Sequence, residues 1–324
     1  MEYRRLGKTD LQVSLLGMGG LFIATRNAEF EQARAAVHRA IQLGVTYADT
    51  APNYLDSERV LGQILKDIDQ PLVLSTKLGG RPDPFFPQNR SCLEQSIEES
   101  LHLLGRDHID LLIIHEPDRP GQYDWWANSD TFDGPVLDLL QDLKKEGTLS
   151  AIGIGGTTAY EMAYLIRSGK FDVVLTAFNY SLLWREAEHE VLPAAIDQNM
   201  GVIAGSPLQQ GALARRYDLE SARWLSPPRK NQYLALYTFL DEIQMPIAEC
   251  AIRFVISNPH IHTVLMGARS PQEVEANAAA VAKGPLPTDV LKRLDEIAAQ
   301  VPFRPFCEPF VLPFNRPYKG PGHA

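Results

Sequence analysis

Eight short apolar runs punctuate the chain: Ser14–Met18, Val45–Asp49, Leu72–Lys77, Ile109–His115, Ser150–Gly155, Val173–Ala177, Gly201–Ser206 and Thr263–Gly267. They are apolar across most of their length rather than alternating, as expected of parallel strands covered on both faces. Between them the spacing turns helical. Phe30–Leu43 carries Ala33, Ala36, Val37, Ala40 and Ile41 on one face and stops at Gly44. Ser91–Leu104 opens on a serine with Glu94 three residues on, a capping-box pattern, and closes at Gly105. Val136–Glu146, Glu188–Asn199, Ile247–Ser257 and Pro271–Val281 follow, the last with proline in its first turn.

Regular alternation of strand and helix predicts a parallel α/β sheet, and eight units in this length favour a closed (β/α)8 barrel over an open sheet. An open dinucleotide-binding sheet would place GxGxxG after its first strand, whereas this chain reads Gly17-Met18-Gly19-Gly20-Leu21-Phe22. Residues Met1–Val13 read as an N-terminal β-hairpin turned at Gly7-Lys8-Thr9-Asp10, placed to plug the barrel bottom. Residues 1–324 are read as one domain, with 301–324 a proline- and aromatic-rich tail too broken for a long helix. Two long segments, Glu116–Gly134 and Leu208–Lys230, follow the fourth and seventh strands. Loops at those strand ends build barrel active sites, so these segments are candidates for ligand contact.

A net charge of -9 and no long Lys/Arg run argue against nucleic acid and anionic membranes as partners. No apolar run is long enough to span a bilayer. Met1–Gly7 lacks the apolar stretch of a secretory signal, so a cytoplasmic protein, monomer or homo-oligomer, is expected. Cys92, Cys250 and Cys307 are far apart with no CxxC spacing, which disfavours a cysteine zinc site and suggests reduced thiols. A metal-dependent barrel hydrolase would need clustered ligands at strand ends. Only His115 is so placed, His260 and His262 preceding the eighth strand, so no metal is expected.

Candidate chemistry lies at the C-terminal ends of three consecutive strands. Asp49 ends the second, Tyr54 follows in the next loop, Lys77 ends the third and His115 the fourth. Each taken alone has a structural explanation, such as a loop cap, a loop aromatic, an ion pair or a core histidine. Together they form an acid–base set. A free phenol has a pKa of about 10, and a neighbouring ammonium favours its ionised form. Lys77 would supply that ammonium, Asp49 would hold it, and His115 would orient a substrate oxygen. Such a phenol can protonate a carbonyl oxygen or accept an alcohol proton. The accompanying hydride requires a cofactor, since no side chain stores one.

The segment Gly44-Val45-Thr46-Tyr47-Ala48-Asp49-Thr50-Ala51-Pro52-Asn53-Tyr54 with Ser57-Glu58 and Leu61-Gly62 resembles the aldo-keto reductase signature. So do Ser75-Thr76-Lys77-Leu78-Gly79, Ile109-Asp110-Leu111 with His115, and Ser257-Asn258-Pro259 leading to Gly267-Ala268-Arg269-Ser270-Pro271 and Asn277. The resemblance runs from the hairpin to about residue 298. It implies catalytic roles for Asp49, Tyr54, Lys77 and His115, and NADP as cofactor, with NAD an alternative. Gly19 and Gly20 would lie near the nicotinamide. Ser206, Pro207, Leu208 and Gly211 would wrap the pyrophosphate, and Gly267, Ala268, Arg269, Glu273 and Asn277 would hold the adenosine end.

The chain departs from the family pattern at Gly155-Gly156, where many members carry Ser-Asn against the carboxamide, and at Ala177 beside Thr176, where many carry Gln. Gly155 and Gly156 are kept as cofactor neighbours, with backbone groups, Thr157 or Asn179 as substitutes for the missing side chains. Glu273 stands where some NADP-selective members have Arg, and Arg269 pulls the other way. Phe22, Trp125 and Trp126 are candidates for substrate contact; Trp184 and the tail residues Phe303, Phe306 and Phe310 could also line the pocket. The glycine-rich fifth strand end and Tyr180-Ser181-Leu182-Leu183 are similar to the sugar 1-dehydrogenase branch. The expected function is NAD(P)-dependent hydride transfer with an aldehyde, ketone, alcohol or sugar. The alternative, also found in this family, is a nicotinamide-binding regulatory protein with slow turnover.

Overall fold

A computed structural model of the chain describes residues 1–302 apart from Pro120, Gly121 and Trp224. The tail aromatics and Cys307 lie outside the described residues. Strand β1 (Tyr3–Arg5) pairs antiparallel with β2 (Gln12–Ser14). Eight parallel strands follow: β3 (Leu16–Gly19), β4 (Tyr47–Asp49), β5 (Val73–Leu78), β6 (Ile109–His115), β7 (Leu149–Gly156), β8 (Val173–Ala177), β9 (Gly201–Gly205) and β10 (Thr263–Met266). They close into a barrel in chain order, with β10 hydrogen-bonded to β3. The fold is a (β/α)8 barrel with an N-terminal β-hairpin.

The helices are α1 (Phe30–Gln42), α2 (Ser57–Leu65), α3 (Arg90–Leu104), α4 (Pro135–Glu146), α5 (Ala159–Arg167), α6 (Glu186–His189), α7 (Val191–Asp197), α8 (Pro227–Glu242), α9 (Ile247–Ile256), α10 (Pro271–Ala282) and α11 (Thr288–Ala298). Two apolar cores result. The larger lies between helices and barrel wall. The smaller fills the lumen with Tyr47, Leu111, Ile113, Ala151, Val173, Leu175, Ile203 and Leu265, and Leu6 and Val13 of the hairpin close it from below. Gly201 opens β9 directly against Leu6, whose side chain lies 2.6 Å from where a Cβ would sit, so the plug leaves no room for a larger residue there.

Several boundaries differ from those the sequence predicts, each for a local reason. The first apolar run is split: Ser14 belongs to the hairpin, its N–H donating to Thr46 Oγ1 and its hydroxyl to Leu16 O. The α3 cap is Asn89, which accepts from Cys92 N, rather than Ser91; Glu94 instead pairs with Arg90. Glu188–Asn199 is two helices, α6 and α7, broken at Glu190. Pro193 has no N–H to give and its ring would strike the carbonyl of His189, four residues back. The segment Leu208–Lys230 ends early, because Ser226 caps α8 and prolines occupy its first turn. Helices α2, α5, α8 and α11 had no counterpart among the predicted elements.

Candidate active site

Period-two alternation carries the lumen face up to the rim. On β4 Tyr47 points inward and so does Asp49 two residues on; on β5 the inward set is Val73, Ser75 and Lys77; on β6 it is Leu111, Ile113 and His115. Asp49 is paired with Ser75, and Lys77 with Ile113, so the three polar side chains meet at the top of one barrel wall.

Asp49 and Lys77 are almost wholly buried and form an ion pair at 2.6 Å. The ammonium also donates to Thr50 O at 2.8 Å. Ser75, which sequence reasoning passed over, donates to Asp49 Oδ1 at 2.7 Å and is bonded in turn to the Tyr47 hydroxyl at 2.7 Å. Its signal was its place two residues before Lys77 on the same face. Tyr54 is half-buried; Lys77 Nζ lies 4.6 Å from its ring centroid, and its ring stands edge-on to His115 with centroids 5.8 Å apart. All four residues singled out in the sequence are therefore brought together.

The electrostatics correct one expectation. Burial raises the Tyr54 pKa; Lys77 pulls it down by charge and hydrogen bond, but Asp49 and Glu116 add to the rise and the net result is upward. The phenol is therefore protonated at neutral pH, with the ammonium limiting the rise rather than producing an acidic phenol. Burial lowers the Lys77 pKa, but Asp49, then Tyr54, outweigh it, so the amine stays charged. Burial, then the Lys77 charge, push His115 well below the usual histidine range, leaving a neutral ring.

Of the buried polar atoms without a protein partner, several lie at this rim, Asn53 Oδ1 after β4, His115 Nδ1 on β6, Trp125 Nε1 beyond it, Asn179 Nδ2 after β8 and Gln210 Oε1 after β9, while others, such as His38 Nε2 and Ser96 Oγ, lie on the helices. Buried polar groups are normally satisfied, so the rim atoms fit a long polar ligand lying across the strand ends. The loop after β9 supports the same fit. Ser206, Gln209 and Gln210 have left-handed backbone (φ +54°, +48° and +53°), strain of the kind that collects at functional sites, and Gly211 takes φ +99° as glycine freely can. Pro207 is buried and Leu208 half-buried there.

The other residues named as cofactor candidates are distributed around the strand ends. A Cβ on Gly20 would lie 2.8 Å from Asp49 O, and one on Gly19 3.2 Å from Met266 O, so both allow the β3 loop to hug the rim. A Cβ on Gly155 would lie 2.9 Å from Ile113, and one on Gly156 2.5 Å from Asp118 Oδ1. Asp118 accepts from the Thr157 and Thr158 amides and the Thr158 hydroxyl, holding the start of α5. The Thr157 hydroxyl accepts from Arg119 at 2.6 Å, whereas the buried Asn179 Nδ2 has no protein partner. Beyond β10, Gly267 and Arg269 are exposed and Ala268 is buried. Glu273 accepts from Arg269 N at 2.7 Å, Ser270 caps α10, and Asn277 lies one turn on.

The three substrate candidates separate. Trp125 is 1% exposed and its ring lies 3.3 Å from where a Gly79 Cβ would sit, two residues past Lys77, flanked by Phe85 and Tyr123. Trp126 instead packs on Phe132 and Phe171 in the helical layer, and Phe22 rests against Gly267 with the Arg269 guanidinium 5.7 Å from its ring centroid. Trp184 packs under Arg229 of α8.

A closed (β/α)8 barrel carrying a buried Asp–Lys pair, a tyrosine and a neutral histidine on its C-terminal rim defines the class of barrel oxidoreductases. Residues 15–299 match the aldo/keto reductase family. The chain is 31% identical over 294 residues to L-galactose dehydrogenase of Arabidopsis thaliana, covering 87% of this chain and 88% of that one. It is 28% identical over 301 residues to D-threo-aldose 1-dehydrogenase of a Pseudomonas species, covering 83% and 89%. The solved holo form of aldo-keto reductase AKR11C1 from Bacillus halodurans superposes with a TM-score of 0.75 at 25% identity, covering 92% of this chain and 96% of that one. The chain belongs to the aldo/keto reductase family and is an NAD(P)-dependent oxidoreductase.

Proposed function

We propose that the protein interconverts a sugar or small aldehyde or ketone with its oxidised or reduced partner, using Tyr54 as the proton donor or acceptor. The observation that carries this is the Asp49–Lys77 ion pair at 2.6 Å set against the Tyr54 ring. A bound nicotinamide supplies or takes the hydride. In reduction, Tyr54 gives its proton to the carbonyl oxygen, and the Lys77 ammonium steadies the phenolate left behind. In oxidation, the phenolate takes the alcohol proton. Neutral His115 directs the reacting oxygen toward Tyr54, and Trp125 lines the substrate side. Asp49, with Ser75 behind it, keeps Lys77 charged and in place.

The residues present suit a dinucleotide: Gly19, Gly20, Gly155, Gly156 and Asn179 around the nicotinamide, the Ser206–Gly211 loop on the pyrophosphate, and Gly267 to Asn277 on the adenosine end. NADP is favoured and NAD accepted, because Arg269 offers a guanidinium to a 2′-phosphate while the Glu273 carboxylate is committed to the Arg269 amide. Among the described residues no helix is long and apolar enough to cross a membrane, and a cytoplasmic site of action is proposed. The test is to titrate the protein with NADPH and NADH by fluorescence, then screen aldehydes and aldoses with the better dinucleotide. Binding with no turnover on any of them would favour the regulatory alternative; no binding would refute both.

A further inference from the structure

Glu58 takes no part in the proton path described above, yet it is buried at 2% exposure in the first turn of α2, four residues after Tyr54. One carboxylate oxygen accepts from the Thr76 hydroxyl at 2.6 Å, and the other pairs with Arg81 at 2.6 Å. Thr76 stands directly before Lys77 on β5, and Arg81 lies in the loop that follows the strand. Arg81 is anchored in turn on α3, donating to the Ser100 hydroxyl at 3.0 Å and standing 3.1 Å from the Glu99 carboxylate. On the other side of Tyr54, Asn53 lies against the same loop: a Cβ on Gly80 would fall 1.5 Å from its Oδ1. Between these two contacts Leu55 holds φ +56° with its side chain 46% exposed. A non-glycine residue keeps such a backbone only where its surroundings over-determine it, and a side chain so open to solvent contributes little to that. The strain is therefore held by the ties on either side, to β5 and to the loop after it.

Resting on the reading of Tyr54 given above, we propose that Glu58 is a positioning residue: by joining Thr76 and Arg81 it holds the loop that carries Tyr54 at a fixed distance from Lys77, and so sets how strongly the ammonium acts on the phenol. The route is short. Ser57 N–H donates to Tyr54 O at 3.0 Å at the head of α2, Glu58 follows, and its partner Thr76 precedes Lys77. Charge strengthens both carboxylate bonds, and two bonds to different segments fix direction as well as distance. The Lys77 ammonium lies 4.6 Å from the Tyr54 ring centroid, and a retreat of about 1 Å would weaken its pull by about a fifth.

The test replaces Thr76 by valine, which keeps the shape and removes the hydroxyl, and by serine, which keeps the hydroxyl. The readout is kcat as a function of pH for the alcohol or aldose oxidised fastest in the screen above, beside dinucleotide binding by fluorescence. Thr76→Val should move the alkaline rise up by about half a pH unit for each ångström of retreat, lowering kcat at neutral pH about threefold, with dinucleotide affinity held. Thr76→Ser should restore the wild-type profile. Arg81→Met, at a side chain 18% exposed, removes the other tie and should shift the profile in the same direction, so the proposal stays testable if Thr76→Val does not fold. A folded Thr76→Val or Arg81→Met protein that melts at a lower temperature but keeps the wild-type profile would show that Glu58 supports the fold alone, and would overturn the proposal. So would an equal shift in Thr76→Ser. Wild-type turnover in Tyr54→Phe would instead refute the function proposed above.

Discussion

Replacing Lys77 by methionine tests the acid–base assignment most directly, because the structure sets the size of its two effects. The ammonium lies 4.6 Å from the Tyr54 ring centroid, and at an effective dielectric near 20 a unit charge at that range is worth about 3.6 kcal/mol. Losing it should cut the ionised phenol at a fixed pH by about 100- to 1000-fold. The sign is unambiguous. Lys77 lowers the Tyr54 pKa while burial and Asp49 raise it, so removal moves the pKa further up. In the oxidative direction, where the phenolate is the base, the alkaline rise in kcat should move to higher pH and kcat at neutral pH should fall by about that factor. The second effect is on stability. Asp49 would remain buried with only the Ser75 hydroxyl from its former set, and an uncompensated buried charge costs about 3–5 kcal/mol. The melting temperature should fall by about 4–7 °C. The assay is kcat for alcohol or aldose oxidation as a function of pH, with cofactor binding and a thermal melt to confirm that the variant is folded. A folded Lys77→Met protein with an unmoved alkaline limb and wild-type turnover would show that Lys77 does not act on the phenol.

Tyr54→Phe removes the transferable proton and little else, so dinucleotide affinity by fluorescence should hold while kcat falls by about 10²- to 10⁴-fold; wild-type turnover would refute Tyr54 as the acid. Glu273→Gln should raise the NADP-to-NAD ratio of kcat/KM by removing an anion from the adenosine end, at a small loss in helix stability of up to about 1 kcal/mol; an unchanged ratio would place Glu273 away from the 2′ position, and a shift toward NAD would refute its repulsion of the 2′-phosphate. His115 is neutral in the folded state, so its stabilising contribution is complete above about pH 6.5 and is lost as pH falls below that value. Replacing it with glutamine should therefore flatten the acid limb of the unfolding free energy by up to about 1.4 kcal/mol per pH unit, read from urea melts between about pH 6.5 and 5; an unchanged acid limb would mean that the ring is charged in the fold.

Apolar runs alone determined that eight parallel strands form and, through their number and spacing, that the sheet closes. Full-length burial leaves a strand few alternatives, which is why Ile109–His115 and Val173–Ala177 are seen as read. Asp49, Lys77 and His115 were legible for the same reason: a charged or polar group ending an apolar strand has only the rim to occupy. What the one-dimensional pattern could not carry was register and enclosure. Ser75 becomes a partner of Asp49 only because β4 pairs with β5 in one particular register. The net rise of the Tyr54 pKa follows from how deeply the closed barrel and its loops bury the phenol, a property of packing and not of spacing. Adjacent tryptophans diverge, Trp125 turning to the rim at Gly79 and Trp126 to Phe171, since the loop's path decides which core each ring joins. Helices α6 and α7 split at Glu190 because a proline and a change of direction outweigh a continuous apolar face. Local composition sets which groups must be buried; the closed barrel sets which of them meet, and electrostatics depends on that meeting.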